Sequence, residues 1–354
     1  MLSRREMLRW LREDDPARLE GLWSRADAAR RRGVGDAVHL RGLIEFSNRC
    51  VRLCAYCGLR AGNRLLARYR MSGAQILAAA RRAARLGMGT VVLQSGEDPS
   101  TEAAWLADVV RRLKADPATA PLAVTLSVGE RDEADYALWR QVGADRYLLR
   151  FETSRPDLLA RIHPSAPGRG TGRVAILRSL RRMGYEIGTG MLVGVPGQTF
   201  DDLADDLELL GRLDPEMIGL GPYIPHPRTP LAAAPPAGDQ VPATPEMAYK
   251  ALAIARLLCP RANIPATTAV ATLDARAGYD LGLARGANVI MPNVTPARFR
   301  ALYEVYPGKR GSRGARGDHE EIRRRVEAAG RAVGTGRGDG PRRITAAVGA
   351  EKIA

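Results

Sequence analysis

Lysine is almost missing from this 354-residue chain: four of its 54 basic residues are lysine and the rest are arginine. Against 39 acidic residues they give a formal charge of +15, which alone would suggest a nucleic-acid partner. The arginines, however, sit on the polar faces of helical patterns such as RRAARLG, VVRRL and LRSLRRMG, and aromatics make up only 5% of the chain. The interleaving of basic and exposed aromatic residues that a nucleic-acid groove needs is absent, which argues against such a partner. Long apolar runs are also missing, so no segment reaches the roughly eighteen residues of a membrane span. The opening stretch MLSRREMLRWLRED interrupts its apolar residues with charges and lacks the apolar core of a secretory signal. A reducing cytoplasm is the expected setting. Cysteine is scarce too, at four residues with three of them between 50 and 57, which excludes a disulfide framework and leaves a metal or redox site.

What the chain does have is alternation. Residues 3 to 33 read as two helices, with Leu8 and Leu11, then Leu19, Leu22, Trp23 and Ala26 at helical spacing. From residue 41 short apolar runs alternate with amphipathic stretches of ten to fifteen residues, the pattern of βα units and a parallel sheet. The runs are GLIEFSN (42–48), TVVLQSG (90–96), LAVTLSVG (122–129), RYLLRFE (146–152), EIGTGMLVG (186–194), MIGLGPYI (217–224), NIPATTAV (263–270) and ANVIMPN (287–293). Eight such units fit a complete (βα)8 TIM-type barrel of about 250 residues, where a doubly wound open sheet more usually stops at five or six strands. The organisation expected is an N-terminal helical segment over 1–38, the barrel over 39–308, and a Gly/Arg-rich extension over 309–354 with one short helix at 317–332. That extension is expected to pack loosely on the barrel or to stay partly mobile.

A barrel places its active site at the C-terminal ends of its strands. Those ends are polar: Asn48, Gln94 with Ser95, Ser127, Arg150 with Glu152, Gly194, Pro222, Thr267 with Thr268, and Asn293. Directly after the first strand comes NRCVRLCAYCG, with Cys50, Cys54 and Cys57 spaced CxxxCxxC. Structural zinc asks for four protein ligands, and no fourth cysteine or histidine stands nearby in the sequence, His39 lying at the start of the strand. A 4Fe-4S cluster on three thiolates leaves one iron open for a substrate or cofactor. The alternatives are a zinc loop completed from a distance and a set of unrelated buried thiols. The GxG in GTGMLVGVPG lies within a strand and opens no helix, so it is not a dinucleotide fingerprint.

CxxxCxxC with Tyr56 before its third cysteine resembles the radical S-adenosylmethionine (SAM) superfamily. The stretches IEFSNRCVRLCAYCGLR, ARYRMS, VVLQSGEDP, DRYLLRFET, GMLVGVPGQT, GPYIPHPRTPLA, NIPATTA and GANVIMPNVTP resemble its HydE-type branch, the FeFe-hydrogenase maturation proteins, over roughly residues 40 to 309. The resemblance implies one 4Fe-4S cluster on Cys50, Cys54 and Cys57, with SAM bound at the open iron. It implies Gln94, Ser95 and Gly96 along the methionine moiety of SAM, and Glu152, Arg173 and Tyr303 among the residues that hold SAM. Arg150, Met217, Thr267, Thr268 and Tyr306 would line the substrate cavity. Blander roles exist: Arg173 opens an arginine-rich helix, Met217 begins a strand, and the tyrosines could simply close the barrel.

The activity implied is reductive cleavage of SAM to a 5′-deoxyadenosyl radical that acts on a cysteine-bound iron carbonyl cyanide synthon during assembly of the diiron subcluster. The partners implied are a small-molecule or organometallic substrate, an electron donor such as ferredoxin or flavodoxin, and other hydrogenase maturation proteins. Two rivals stay open: a methylornithine-synthase or biotin-synthase-like enzyme, and a non-catalytic iron-sulfur carrier. Many HydE-type proteins carry a second cysteine triad after the YPGK segment; here that segment has none, and Cys259 in LLCP reads as a core residue.

Overall fold

The computed structural model describes residues 2–164, 172–234, 238–309 and 314–341. Its longest strand, β1 (Ala37–Ser47), is buried along nearly its whole length, as a parallel strand covered on both faces must be. The strands that follow are β2 (Thr90–Ser95), β3 (Ala123–Ser127), β4 (Arg146–Leu148), β5 (Glu186–Thr189), β6 (Leu192–Val193), β7 (Met217–Ile218), β8 (Gly221–Pro222), β9 (Val289–Ile290) and β10 (Ala332–Val333). Parallel pairing runs in the order β10-β1-β2-β3-β4-β5-β7, with β9 also on β1 and a small separate pair β6-β8. Helices such as Gly73–Arg85, capped by a reciprocal Ser72–Gln75 box, bury their Ile76, Ala79, Ala80 and Ala83 face against the strands.

Eight continuous strands are not what the ladder draws. EIGTGMLVG and MIGLGPYI each break at a glycine, because a Cβ on Gly190 would lie 1.8 Å from the Gly219 carbonyl oxygen where the two chains cross. NIPATTAV forms no strand. It makes single bridges, Met217 to Asn263 and Pro265 to Val289, before Thr267 opens the helix Thr268–Leu273. Pro265 has no N–H to give a ladder, which limits pairing there. The architecture is a parallel α/β sheet paired regularly from β10 to β7, with only isolated bridges beyond, and not the complete eight-stranded barrel the alternation predicts. The N-terminal helices, α1 (Arg4–Arg12) and α2 (Pro16–Val34), pack on the helices Phe200–Leu213 and Pro245–Leu258.

The described part of the C-terminal extension is not loosely attached. After the helix Gly314–Ala328, β10 pairs with the first residues of β1. The chain then crosses the N-terminal ends of the strands. There Gly338 O accepts from Arg41 (3.1 Å) and Asn263 (3.2 Å), Arg146 reaches Asp339 (2.5 Å), and Arg337 reaches Asp145 (2.5 Å). Glycine is required at the crossing, since a Cβ on Gly89 would fall 1.6 Å from Gly336 O. Residues 342–354 lie outside the described residues.

This floor network makes the fold acid-sensitive in a defined way. Burial alone would raise the Asp145 carboxyl, but the Val124 N–H, Lys114 and Arg337 hold it down, at about 2. A depressed carboxyl stabilises the fold above its unfolded pKa near 4 and loses that contribution as pH falls through about 2. Asp145→Asn is expected to lower stability at pH 7 by roughly 2 kcal/mol and to flatten the acid limb between about pH 4 and 2. Urea unfolding across that range checks it; parallel acid limbs for the two proteins would contradict it.

Candidate functional site

The cysteines lie on a loop with no internal helix or strand, so its backbone must find partners elsewhere. An antiparallel bridge between Ser47 and Arg70 closes it. Inside, Arg68 donates to the carbonyls of Asn48 (2.6 Å), Leu59 (2.8 Å), Arg60 (2.9 Å) and Asn63 (3.2 Å). Asn48 bonds the carbonyls of Ala67 and Leu302, both at 2.8 Å, and so ties the loop to the chain before Tyr303. Two glycines permit close approach: a Cβ on Gly96 would sit 2.2 Å from Arg49 O and 2.6 Å from Cys50 Cβ, and one on Gly58 would sit 2.3 Å from Glu304 O. Cys54 is buried, Cys50 and Cys57 are half-buried, and all three are free thiols. Burial raises all three, Cys57 to about 12, so a group that takes them as thiolates must bring positive charge. Among the described residues no three His, Cys, Asp or Glu side chains are grouped so as to hold a single metal ion.

A histidine does stand beside the cysteines, contrary to the expectation that none was near. His163 Nδ1 is 2.9 Å from Cys54 Sγ and 3.4 Å from the Tyr56 hydroxyl. Its Nε2 meets Arg52 (2.8 Å) and Arg173 (2.5 Å). Guanidinium groups only donate, so Nε2 must be the acceptor and Nδ1 must carry the proton, which it gives to the Cys54 sulfur. Burial, Arg173 and Arg52 lower the ring's pKa to about 2, which keeps it neutral. Nothing in the sequence marks this residue, which lies 109 positions from Cys54 in the short segment ARIHP.

Beneath the loop is a cavity of about 360 Å³. Cys57, Gln94, Ser95, Arg150, Glu152, Arg173, Met217, Thr267, Thr268 and Tyr306 all line it. Cys50, Cys54, Gly96 and Tyr303 do not; Tyr303 is buried behind Gln94, whose amide donates to its hydroxyl at 3.1 Å, and Gly96 is pressed against the cysteine loop. Burial raises the pKa of both Tyr303 and Tyr306. Of the other strand-end residues, Ser127 and Pro222 line the cavity, while Asn293 donates to Glu45 (2.8 Å), itself ion-paired with Lys309. Lys309, Tyr56 and Arg41 line the cavity as well and were not singled out as site residues from the sequence. Arg41 donates to Met217 Sδ at 2.9 Å.

Two features of this wall fit a polar ligand. Glu152 has φ 68°, one of two non-glycine residues with positive φ among those described, and is held there by bonds to Gly190 O (3.1 Å) and from Leu192 N (3.2 Å). A residue kept in that region costs about 1–3 kcal/mol, and such costs gather at binding sites. Buried polar atoms also stand without hydrogen-bond partners: Glu152 Oε2, Arg150 Nε and Nη2, and Thr267 Oγ1. Arg150 Nη2 is 3.0 Å from Glu152 Oε2 as an ion pair, but the alignment is not that of a hydrogen bond. Each unmet buried group costs about 1–3 kcal/mol, which a ligand with donors and acceptors of its own offsets. Arg173 is already engaged, on Glu130 (2.7 Å), the Arg150 carbonyl (2.6 Å) and His163.

The Radical SAM superfamily matches residues 44–210. A curated protein of Thermotoga maritima, the [FeFe] hydrogenase maturase subunit HydE, is 47% identical over 290 residues, covering 82% of this chain and 80% of its own. A biotin synthase of Anaeromyxobacter dehalogenans is 28% identical over 273 residues, covering 74% and 71%. Among solved structures, methylornithine synthase superposes with a TM-score of 0.82 at 25% identity, covering 94% of both chains. The [FeFe]-hydrogenase maturase HydG superposes at 0.75 with 17% identity, covering 93% and 71%, and shares the fold. Identity of 47% over about four-fifths of both chains shows that the chain belongs to the radical SAM superfamily, in its HydE-type branch.

Proposed function

We propose that this protein is a HydE-type maturase that acts in building the diiron subcluster of FeFe-hydrogenase, taking as substrate a cysteine-bound iron carbonyl cyanide synthon. The observation that carries this reading is the cysteine loop seated over a cavity whose buried Glu152, Arg150 and Thr267 atoms lack hydrogen-bond partners. Cys50, Cys54 and Cys57 would hold a single 4Fe-4S cluster, and the described residues after Lys309 offer no cysteine for a second. When bound, the cluster and SAM supply one electron and a 5′-deoxyadenosyl radical. Gln94, Ser95 and Gly96 would run along the methionine end of SAM, and Glu152 would accept from its ammonium or ribose hydroxyls. Arg173 would set the Arg150 carbonyl and His163 in place, and Tyr303 would orient Gln94. Arg150, Met217, Thr267, Thr268 and Tyr306 would surround the substrate and exclude water, which a radical reaction requires. The catalytic unit would be residues 39–308, with the isolated bridges at Asn263 and Pro265 helping to enclose the substrate. Electrons would come from a ferredoxin or flavodoxin in a reducing cytoplasm.

A second reading is favoured by the superposition on methylornithine synthase, in which the radical would abstract hydrogen from carbon. Anaerobic reconstitution with iron and sulfide, followed by SAM and dithionite, is expected to yield 5′-deoxyadenosine, and Cys54→Ala to reduce it to background. A fully loaded protein that forms none would leave an iron-sulfur carrier instead. Supplying the iron-cysteine synthon or lysine in turn separates the two enzymes by which compound is altered.

The proton on His163 Nδ1 has its own consequence. Donation to the Cys54 sulfur draws charge from a ligand and favours the reduced state. His163→Ala is expected to make the cluster's midpoint more negative by roughly 40 mV, the equivalent of a hydrogen bond worth about 1 kcal/mol in a one-electron couple. Redox titration followed by EPR measures it; an unchanged potential at full iron content would remove His163 from this role.

A further inference from the structure

Four aspartates lie on the helix Phe200–Leu213, and three of them have ordinary partners. Asp201 and Asp205 pair with Arg4, and Asp202 pairs with Arg155 at 3.0 Å. Asp206 differs. It is fully buried, on the face that carries Leu203 and Leu210, and among the described residues no arginine, lysine or histidine pairs with it. A carboxylate set into an apolar stripe is costly to desolvate and persists only where hydrogen-bond donors replace its water. Three donors do so here. Oδ1 accepts from the Ser154 N–H and from the Thr153 hydroxyl (3.2 Å), and Oδ2 accepts from the Gln198 amide (3.1 Å). Burial raises the carboxyl to about 7 against the pull of these donors.

The three donors share one neighbour. Thr153 and Ser154 directly follow Glu152, and Gln198 closes the segment that Glu152 pairs with. In that pairing Glu152 N donates to Gly190 O, Leu192 N donates to Glu152 O, and Glu152 forms a parallel bridge with Met191. Gln198 spends the rest of its capacity on the same segment: its side-chain oxygen accepts from Gly194 N (2.7 Å), and its amide also donates to Leu192 O (3.1 Å). One carboxylate thus joins the chain just after Glu152 to the chain alongside it. Regular pairing gives little help there, since β4 ends at Leu148 and β6 is two residues long. Left to local preference, a glutamate leaves the left-handed region, where its Cβ crowds the following carbonyl. That rotation would swing the Glu152 side chain away from the cavity it now lines.

We infer that Asp206 is a positioning residue for SAM: through Thr153, Ser154 and Gln198 it holds Glu152 at positive φ, and so keeps the Glu152 carboxylate aimed at the hydrogen-bond donors of the bound ligand. The identity of that ligand rests on the radical SAM reading. Asp206, Thr153, Ser154 and Gln198 all stand outside the cavity lining, so the effect on SAM runs by way of Glu152. Asp206→Asn disturbs this hold with little change of shape. It keeps Oδ1 for Ser154 and Thr153 but sets a new amide against the Gln198 amide, donor facing donor. Gln198 cannot turn over to accept from it without giving up the Gly194 N–H.

The test is a double-mutant cycle read by SAM binding to the reconstituted full chain with its cluster oxidised, the state in which SAM binds uncleaved. By anaerobic calorimetry Asp206→Asn is expected to bind SAM about ten-fold more weakly than the wild type. In a Glu152→Ala background, where the side chain being held is gone, the same change is expected to cost less than about two-fold. Thr153→Val removes one donor and keeps the other two. It is expected to weaken binding roughly two-fold, again only when Glu152 is present, and it replaces Asp206→Asn if that variant does not fold. Hydrogen–deuterium exchange gives a readout that needs no ligand: in Asp206→Asn the segments 151–155 and 190–194 should exchange faster, with β1 to β3 unchanged. Equal losses of SAM affinity with and without Glu152 overturn the inference and make Asp206 part of the general scaffold. Unchanged affinity, or unchanged exchange in both segments, overturns it as well. Wild-type protein that loads its cluster and binds no SAM overturns the radical SAM reading instead, and exchange then still decides whether Asp206 holds Glu152.

Discussion

The side chain of Arg68 determines more of this molecule than any other single group. A loop of more than twenty residues without helix or strand has no internal use for its carbonyls, and one planar guanidinium collects four of them. An ammonium group, a compact charge with three donors, could not span the same set. With the carbonyls gathered, Cys57 reaches the cavity wall, Gly58 packs under Glu304, and Gly96 packs under Arg49. Tyr303 behind Gln94 and the cavity wall beneath are packed against the loop shape that this side chain maintains.

A second clamp works at the opposite end. Arg146, fully buried, joins Glu186, Thr90 and Asp339 in one network beneath the strands. A buried cation of this sort is expensive to desolvate and is tolerated because each of its three nitrogens finds an acceptor and two carboxylates offset its charge. The two ends follow opposite rules. The floor pairs Arg146, Asp145, Glu186 and Asp339 with one another and their neighbours, which favours rigidity, although Arg41 beside them keeps an unmet Nε. The mouth leaves Glu152, Arg150 and Thr267 atoms unmet and holds Glu152 at positive φ, which costs stability and leaves donors and acceptors ready for a ligand.

Much of this was legible from residues alone. Cysteine spacing located the loop, and alternation located β1 to β5, because a parallel strand buried on both faces writes itself as an apolar run. Eight of the strand-end residues picked out by their polarity or position line the cavity, while the apolar part of its wall was not marked. NIPATTAV misled because its apolar run hides a proline and a helix start. The extension misled because its glycines read as looseness, when at Gly89 and Gly336 they permit two backbones to touch. A two-residue strand such as β10 carries no periodicity at all. His163 was invisible for a different reason: its partners, Arg52 and Cys54 in the cysteine loop and Arg173 at the start of a later helix, are brought to one ring only by the fold.

The near absence of lysine now has a meaning beyond composition. Of the described lysines, Lys114, Lys250 and Lys309 are all shielded in ion pairs. The positive charge this protein shows to solvent is therefore almost wholly guanidinium, which keeps its proton beyond about pH 12 where an ammonium would begin to lose its own near pH 10. The outward charge of the molecule is in effect a fixed quantity, set by sequence and insensitive to alkalinity. From neutral pH upward, ionic strength is the solution variable that modulates how strongly it attracts a negatively charged neighbour.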